Sequence, residues 1–367
     1  MKGFQDGSST FARDMRRGRG AVTNTSGRFE NEERVASDDG WSSLDELAQV
    51  NTKTSVTLET PRTIITKNQS PDIPFDRSIN PYRGCEHGCI YCFARPTHAF
   101  LGLSPGLDFE AKLFAKPDAP QLLEKELRSK SYRPAPIAIG TNTDPYQPID
   151  RQYRLMRQIL DVLRDFNHPI TITTKSALIL RDLDILADMA KQGLVSVAIS
   201  VTSLDAKLSR TMEPRASTPM KRLAAISVLR EAGIPVGILT SPMIPAINDH
   251  ELEDILSACK SAGALWARYI LLRMPYEIKH LFREWLEENF PDRADKVIKL
   301  IKETRGGKNY DAQWGKRMKG EGQYAELLAS RFRLAKKKYG LDYKNPPLRT
   351  DLFKPPLATA NQLALFS

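Results

Sequence analysis

Short apolar segments and longer amphipathic segments alternate regularly from about residue 136 to residue 272. The short runs, such as Ile170 to Thr174, are rich in β-branched residues, which is typical of strands. The longer ones, such as Tyr153 to Phe166, repeat apolar residues every three or four positions, which is typical of helices. Alternation at this length predicts parallel βαβ units. The expected strands are 136–140, 170–174, 195–201, 236–239 and 264–272, and the expected helices are 120–129, 153–166, 183–192, 220–232 and 251–262.

Further strands are predicted before this alternation, and helices alone after it. Residues 63–66, 79–82 and 109–116 are predicted to be strands; counting 79–82 as the first of the alternating series gives six. After residue 275 the pattern predicts helices at 278–289, 294–303 and 324–339. We therefore expect an α/β domain over 61–275, a basic helical extension over 276–345 and an extended tail over 346–367.

The first 60 residues have a different composition from the rest of the chain. Gly, Ser, Thr, Asn and mixed charges dominate, and large apolar residues are few, which predicts a disordered N-terminal segment over 1–60. Leu44 to Val50 is the one stretch there with the pattern of a short helix. We interpret the segment as a solubilising tail; the alternative is a basic arm that touches nucleic acid through Arg13, Arg16, Arg17 and Arg19.

Three of the four cysteines lie within eight residues, at Cys85, Cys89 and Cys92, just after the predicted strand 79–82. Thiolates at this spacing suit an iron–sulfur cluster or zinc. A closed zinc site needs four ligands and usually a second cysteine pair, so zinc would require His87 as the fourth ligand. Cys259 stands alone inside a predicted helix, where a free cysteine usually packs as a small hydrophobe. A loop that follows a parallel strand lies at the edge of the sheet where α/β active sites form.

The cysteine spacing, with an aromatic residue at Tyr91, resembles the signature of the radical S-adenosylmethionine (radical SAM) superfamily. The flanking sequences are similar to those of the branch that contains spore photoproduct lyase and DNA-repair-photolyase-like relatives. They are Asn80-Pro81-Tyr82-Arg83-Gly84 and Phe93-Ala94-Arg95. The resemblance implies a partial (β/α)6 TIM-type barrel and a [4Fe–4S] cluster on Cys85, Cys89 and Cys92. It also implies an open iron that binds SAM, reductive cleavage to a 5′-deoxyadenosyl radical, and an external electron donor of flavodoxin or ferredoxin type.

The same resemblance implies SAM contacts at the ends of successive strands. Tyr91 is expected to pack on the adenine, and Lys175 and Arg215 to contact the SAM carboxylate, with Glu213 orienting Arg215. Ser200 and Thr202 are expected at the ribose. The family's Gly-Gly-Glu motif for the SAM amino group is absent, and the acceptors at that place are Thr141, Asn142, Thr143 and Asp144. Ordinary turn, capping and surface roles remain the alternatives for these side chains.

The distribution of charge along the chain indicates the kind of substrate or partner to expect. The net charge is +10, and residues 296–354 hold 16 Lys and Arg against 6 Asp and Glu. This excess favours a polyanionic partner such as nucleic acid, and a solvated helical face is the alternative. No apolar run reaches the ~18 residues of a membrane span, and no apolar signal core begins the chain, so we expect a cytoplasmic protein.

Two other functions remain open at this point. One is photoproduct repair of the spore photoproduct lyase type. That lyase carries a further cysteine that returns hydrogen to the product, whereas no cysteine lies between Cys92 and Cys259 here. The other is a non-enzymatic module that holds zinc or a structural cluster and docks on nucleic acid.

Overall fold

The computed structural model describes residues 18–30 and 53–357. Within them the strands are β1 (Ser55–Leu58), β2 (Ile65–Lys67), β3 (Arg77–Ile79), β4 (Tyr82–Arg83), β5 (Lys112–Ala115), β6 (Ile137–Ile139), β7 (Ile170–Thr174), β8 (Val195–Ser200), β9 (Val236–Met243) and β10 (Trp266–Leu271). The α-helices are α1 (Leu107–Ala111), α2 (Ala119–Leu127), α3 (Asp150–Tyr153), α4 (Leu155–Asp165), α5 (Leu183–Lys191), α6 (Ala206–Met212), α7 (Pro219–Glu231), α8 (Leu252–Ser261), α9 (Ile278–Asn289), α10 (Ala294–Glu303) and α11 (Gln323–Lys338). Short 3₁₀ helices span Arg95–Leu101, Ala177–Asp182, Asp249–Glu251 and Pro291–Arg293.

Six parallel strands form the main sheet, in the chain order β3-β6-β7-β8-β9-β10. β2 pairs antiparallel with β3 and makes one edge, and β10 makes the other, so the sheet is open. Helical crossovers join successive parallel strands, as the alternation predicted. The expected partial (β/α)6 barrel is confirmed.

The core lies between this sheet and the helices that cover it. Ile172 of β7 and Val197 of β8 are fully buried, as are Leu160 of α4 and Leu256 of α8. Each such side chain contributes about 1.5–3 kcal/mol through burial of apolar surface. β8 is buried along its whole length, as expected for a central parallel strand covered on both faces.

A second, three-stranded sheet of order β1-β5-β4 corrects two of the strand predictions. The predicted strand 79–82 is split, because β3 ends at Ile79 in the main sheet and β4 begins at Tyr82 in the small one. Pro81 lies between them and has no N–H to continue a ladder. The predicted strand 109–116 begins as helix α1 and becomes strand only at Lys112. α6 was not predicted.

The N-terminal segment is also corrected where it is described. Residues 18–30 pack on the barrel rather than forming a disordered tail, and Ala21 is buried in an apolar cluster. Residues 55–58 form β1. The predicted helix at Leu44 to Val50 lies outside the described residues, as do Arg13, Arg16 and Arg17 of the proposed basic arm.

The C-terminal segment covers the amino-terminal ends of the central strands β7 and β8, opposite the end that faces the cysteine loop. The Arg349 and Lys354 amides donate to the carbonyls of Gly193 and Phe166, which lie just before β8 and β7. Phe353 packs against Phe166 and the buried His168. His168 therefore has a structural role. In the part of the chain that the structure describes, no helix combines the length and apolar character of a membrane span.

Candidate functional site

The cysteine loop follows β4 and lies beside the carboxyl ends of the parallel strands. The Cys85 amide donates to the Phe109 carbonyl, and the Cys92 amide donates to the Cys89 carbonyl, which folds the loop back on itself. Gly88 has a φ of +67°, and a Cβ there would meet the Glu110 carboxylate at 2.7 Å. A side chain at this position would be strained and would displace its support, so the loop requires glycine.

A buried ion pair supports the loop from behind. Arg95 and Glu110 are both fully buried and pair at 2.5 Å. The Arg95 guanidinium also donates to the carbonyls of four loop residues: Gly88, Cys89, Pro105 and Gly106. Every donor of this buried cation therefore has a partner, which burial of a charge requires.

The N-terminal segment completes this support. The amides of Gly20 and Ala21 each donate to the Glu110 carboxylate at 2.9 Å. A Cβ on Gly20 would lie 1.9 Å from the Gly88 carbonyl oxygen, so the segment is in close backbone contact with the cysteine loop. We call residues 18–27 the strap. Sequence reasoning missed Glu110 and the strap, and gave Arg95 no role, because their partners lie far away along the chain.

The three thiols fit an iron–sulfur cluster. None of them forms a disulfide, and Cys85 and Cys89 are buried while Cys92 is half-buried. Burial raises the pKa of Cys85 and Cys89, and the nearby Asp144 and Glu213 carboxylates raise it further for one thiol each. The thiols also raise each other's pKa, so they are neighbours in space. A thiolate here needs a strongly cationic partner, which iron supplies.

Among residues 18–30 and 53–357, no group of three or more His, Cys, Asp or Glu side chains is arranged around one metal ion. A cluster distributes its thiolates over separate irons, so its ligands stand further apart than around zinc. His87, the expected fourth zinc ligand, is buried with its Nδ1 3.4 Å from an Asp144 oxygen.

Glu213 forms the centre of a buried polar cluster beside the loop. Its carboxylate accepts hydrogen bonds from the hydroxyls of Tyr91 and Thr202 and from the Arg222 guanidinium. Lys175 lies over the Tyr91 ring, with its ammonium 5.8 Å from the ring centroid. The ends of β7 and β8, the segment from α6 to α7 and the cysteine loop thus converge near Cys89, whose pKa responds to Glu213, Lys175 and Arg222.

The partner of Glu213 differs from the expected one. The sequence suggested that Glu213 orients Arg215, whereas it pairs with Arg222 of α7. Arg222 is 1% exposed and lies on the same helix face as Ile226 and Leu229. An arginine within the apolar stripe of a helix was the signal that could have revealed it.

Arg215 lies on the other side of the cysteine loop. Its guanidinium pairs with Glu86 at 2.8 Å, and its amide donates to the His87 carbonyl. Thr54 donates to the same Glu86 carboxylate and accepts from the strap residue Arg19. Arg215 therefore ties the loop to the N-terminal elements.

The residues after β6 mostly bond to protein groups. Asn80 and Thr141 exchange a side-chain hydrogen bond, Asn142 donates its amide to Asn80, and Thr143 donates to the Tyr82 carbonyl. Asn142 is exposed at the rim of the site.

Asp144 links three parts of the site. It accepts from the Thr174 hydroxyl and the Lys175 amide, both at 2.7 Å, and lies against His87. Burial alone would raise the pKa of Asp144, but the His87 ring and these hydrogen bonds lower it to about 2. The carboxylate thus fixes β6, β7 and the cysteine loop to one another.

Ser200 and Thr202 end β8 and contact the next strand. Their hydroxyls donate to the Ser241 carbonyl at 3.5 and 3.3 Å, and the buried Ser241 hydroxyl has no hydrogen-bond partner among the described residues. Asn248 donates to the carbonyls of Thr202 and Pro242 and so fixes this edge.

The structure is an open six-stranded α/β barrel with a three-cysteine loop at its strand ends. This combination defines a class of cluster-binding enzymes, and comparison with known proteins agrees. Residues 79–259 match the family model described as the Radical SAM superfamily. An uncharacterized protein of Mycobacterium tuberculosis is 37% identical over 232 residues, covering 63% of this chain and 68% of that protein. An uncharacterized protein of Methanocaldococcus jannaschii is 28% identical over 216 residues, covering 58% and 76%. A solved structure of a spore photoproduct lyase mutant has a TM-score of 0.57 at 16% identity, covering 85% and 86%, and shares the fold.

The chain belongs to the radical SAM superfamily. It is a radical SAM enzyme, and its cofactors are a [4Fe–4S] cluster and S-adenosylmethionine. Such an enzyme requires a reductant.

Proposed function

We propose that Cys85, Cys89 and Cys92 hold the [4Fe–4S] cluster and that the substrate is a nucleic acid. When bound, the cluster and SAM supply the 5′-deoxyadenosyl radical that abstracts hydrogen from substrate. The observation that supports the site is the convergence of the three thiols with the Tyr91, Thr202 and Glu213 cluster at the strand ends. A purely structural metal clip would need no such polar cluster.

The SAM contacts follow from which polar groups are still available. Lys175 has no carboxylate within ion-pair distance in the described residues and lies over Tyr91, so we assign it the SAM carboxylate. Arg215 is already paired with Glu86, and we retain it as a support of the loop instead. The Tyr91 ring supports the adenine, and its hydroxyl is held by Glu213.

We assign the ribose to Ser200 at the end of β8 and Thr202 just after it, beside the Ser241 hydroxyl, which has no partner within the described residues. The segment Thr141 to Asp144 is the proposed place of the SAM amino group. The carbonyls and the Asn142 side chain are its available acceptors, since Asp144 is engaged by Thr174 and Lys175.

The nucleic-acid substrate is supported by the charge of the C-terminal extension. Lys296, Lys299 and Lys302 are exposed on one face of α10, and Lys308 and Lys319 are exposed in the loop that follows. Spore photoproduct lyase, which shares the fold, has been solved with bound AdoMet and dinucleoside spore photoproduct (TM-score 0.56, 17% identity). We do not propose photoproduct repair, because no cysteine lies between Cys92 and Cys259 to return hydrogen.

We further propose a small electron-transfer protein of flavodoxin or ferredoxin type as the reductant. A cytoplasmic location is consistent with four cysteines that form no disulfide in the structure and with a cluster that needs reducing conditions.

The test is anaerobic reconstitution with iron and sulfide, followed by SAM and dithionite. We expect iron–sulfur absorbance and 5′-deoxyadenosine from the wild type and neither from Cys92→Ala. Protein that binds zinc but forms no cluster would contradict the site assignment. For the substrate, affinity for DNA or RNA should fall steeply between about 50 and 200 mM salt if phosphates are contacted. Negligible, salt-independent binding would exclude a polyanion.

A further inference from the structure

Arg273 lies two residues after the end of β10 and beside the cysteine loop. Its guanidinium is 5.1 Å from the ring centroid of Phe93, the residue after Cys92. On another side it is 6.0 Å from the ring centroid of Tyr310 and donates to the Tyr310 hydroxyl at 3.2 Å. We call Arg273, Phe93 and Tyr310 the arginine bracket.

No carboxylate pairs with this arginine among the described residues. Besides the Tyr310 hydroxyl, its recorded partner is the Met318 sulfur at 3.6 Å, which is a weak acceptor. Its Nε is buried and has no hydrogen-bond partner in the part of the chain that the structure describes. The charge of Arg273 contributes to the lowered pKa of Asp72, but the Asp72 carboxylate accepts its hydrogen bonds from Arg317 and the Gly315 amide.

The two neighbouring arginines have stronger acceptors than Arg273, although the Nε of Arg305, like that of Arg273, has no hydrogen-bond partner in the described residues. Arg305 is 1% exposed and donates to the carbonyls of Leu271, Leu272 and Lys316, which fixes the end of β10. Arg317 pairs with Asp72. Arg305 thus bonds to three carbonyls and Arg317 to a carboxylate, whereas Arg273 has neither kind of acceptor among the described residues.

A partly buried guanidinium without an anion is costly unless a ligand supplies one. Arginine also presents a planar fork that matches phosphate. The ring of Phe93 is 44% exposed, and an aromatic face next to a cation is the usual means of stacking a base in single-stranded nucleic acid. Phe93 adjoins Cys92, so a base on it would be close to the radical source.

We propose that the arginine bracket anchors the substrate strand, with Arg273 on a phosphate and Phe93 stacked on the adjacent base. This rests on the proposed nucleic-acid substrate. Arg273 would then decide which part of the strand is presented to the cluster.

The test uses the reconstituted full chain and a fluorescent single-stranded oligonucleotide, with binding followed by anisotropy under anaerobic conditions. Arg273→Gln should weaken binding about tenfold, since it removes a charged hydrogen bond, and should reduce the salt slope by about one. Arg273→Lys should retain part of the affinity. The matched control is Lys191→Gln, which removes one charge from an exposed position at the end of α5, outside the basic C-terminal extension, and should change affinity less than about twofold.

Phe93→Leu tests the stacking partner, with iron content measured to show that Cys92 still binds. We expect it to weaken oligonucleotide binding about fivefold or more while leaving the salt slope unchanged. Wild-type affinity in both Arg273→Gln and Phe93→Leu would overturn the proposal, as would equal losses in Arg273→Gln and Lys191→Gln.

Two further readouts separate this proposal from the proposed function. SAM cleavage without substrate should be the same in Arg273→Gln as in wild type; its loss would place Arg273 at SAM and overturn the proposal. A wild type that makes 5′-deoxyadenosine but binds no oligonucleotide would refute the nucleic-acid substrate and the bracket together, while leaving the radical SAM activity intact.

Discussion

Replacing Glu110 by glutamine removes one charge from the fully buried pair behind the cysteine loop. The wild-type carboxylate accepts from Arg95 and from the amides of Gly20 and Ala21. Glutamine keeps one acceptor oxygen, but its NH2 group must face another donor. The variant therefore leaves Arg95 buried without a counter-charge and weakens the attachment of the strap.

The expected cost follows from the remaining partners of Arg95. Breaking a buried pair by removing one partner costs about 3–5 kcal/mol. Arg95 keeps its bonds to four backbone carbonyls, which places the loss near the lower end, at about 3 kcal/mol. That corresponds to more than about a hundredfold in the equilibrium between folded and unfolded protein.

Urea denaturation gives the free energy of unfolding, and hydrogen exchange reports on the strap. We expect the Gly20 and Ala21 amides to exchange faster in Glu110→Gln than in the wild type. Amides of the central strand β7, such as that of Ile172, should remain the more protected ones in both proteins. The matched control is Glu124→Gln, which neutralises the exposed partner of Arg128 and should cost about 0.5 kcal/mol or less. Equal losses in the two variants, or an unchanged strap, would refute the reasoning.

Three other predictions concern the strap, the cysteines and pH. Gly20→Ala should detach the strap, because its Cβ would lie 1.9 Å from the Gly88 oxygen; faster iron release to a chelator measures this, and a wild-type rate would contradict it. Cys259→Ala should keep the iron–sulfur absorbance that Cys92→Ala loses, because Cys259 is buried in the apolar core; loss in both would implicate Cys259 in the cluster. Burial lowers the pKa of His168 to about 4, so the unfolded state binds a proton that the folded state does not as pH falls from about 6.5 to 4. Stability should drop by up to about 3 kcal/mol over that window, and His168→Gln should remove this part of the drop in urea titrations; an unchanged slope would contradict it.

The parallel strands and their helices were largely readable from sequence. α9 and α10 begin and end at the predicted residues, and β7 does as well. These elements depend on local periodicity, which the chain carries within each segment. The cysteine loop was recognisable for the same reason, because its three ligands are adjacent in sequence.

The hydrogen-bond and ion-pair partners of the charged residues could not be predicted from the sequence. Glu110 bonds to amides about ninety residues away along the chain. Arg222 reaches Glu213 only because the apolar face of α7, on which Arg222 lies, packs toward the interior. Arg215 and Asp144 were expected to face the cofactor, and the fold engages both with protein groups.

By itself, then, the sequence determined the barrel and the place of its thiolate ligands, because hydrophobic spacing and ligand spacing act over a few residues. Only the tertiary structure decided which charges are committed to the fold and which, like Lys175 and Arg273, are left without a carboxylate in the part of the chain described. The physical reason is that a buried charge is stabilised by whichever opposite charge or carbonyl the packing brings to it, and packing joins residues that are distant in sequence.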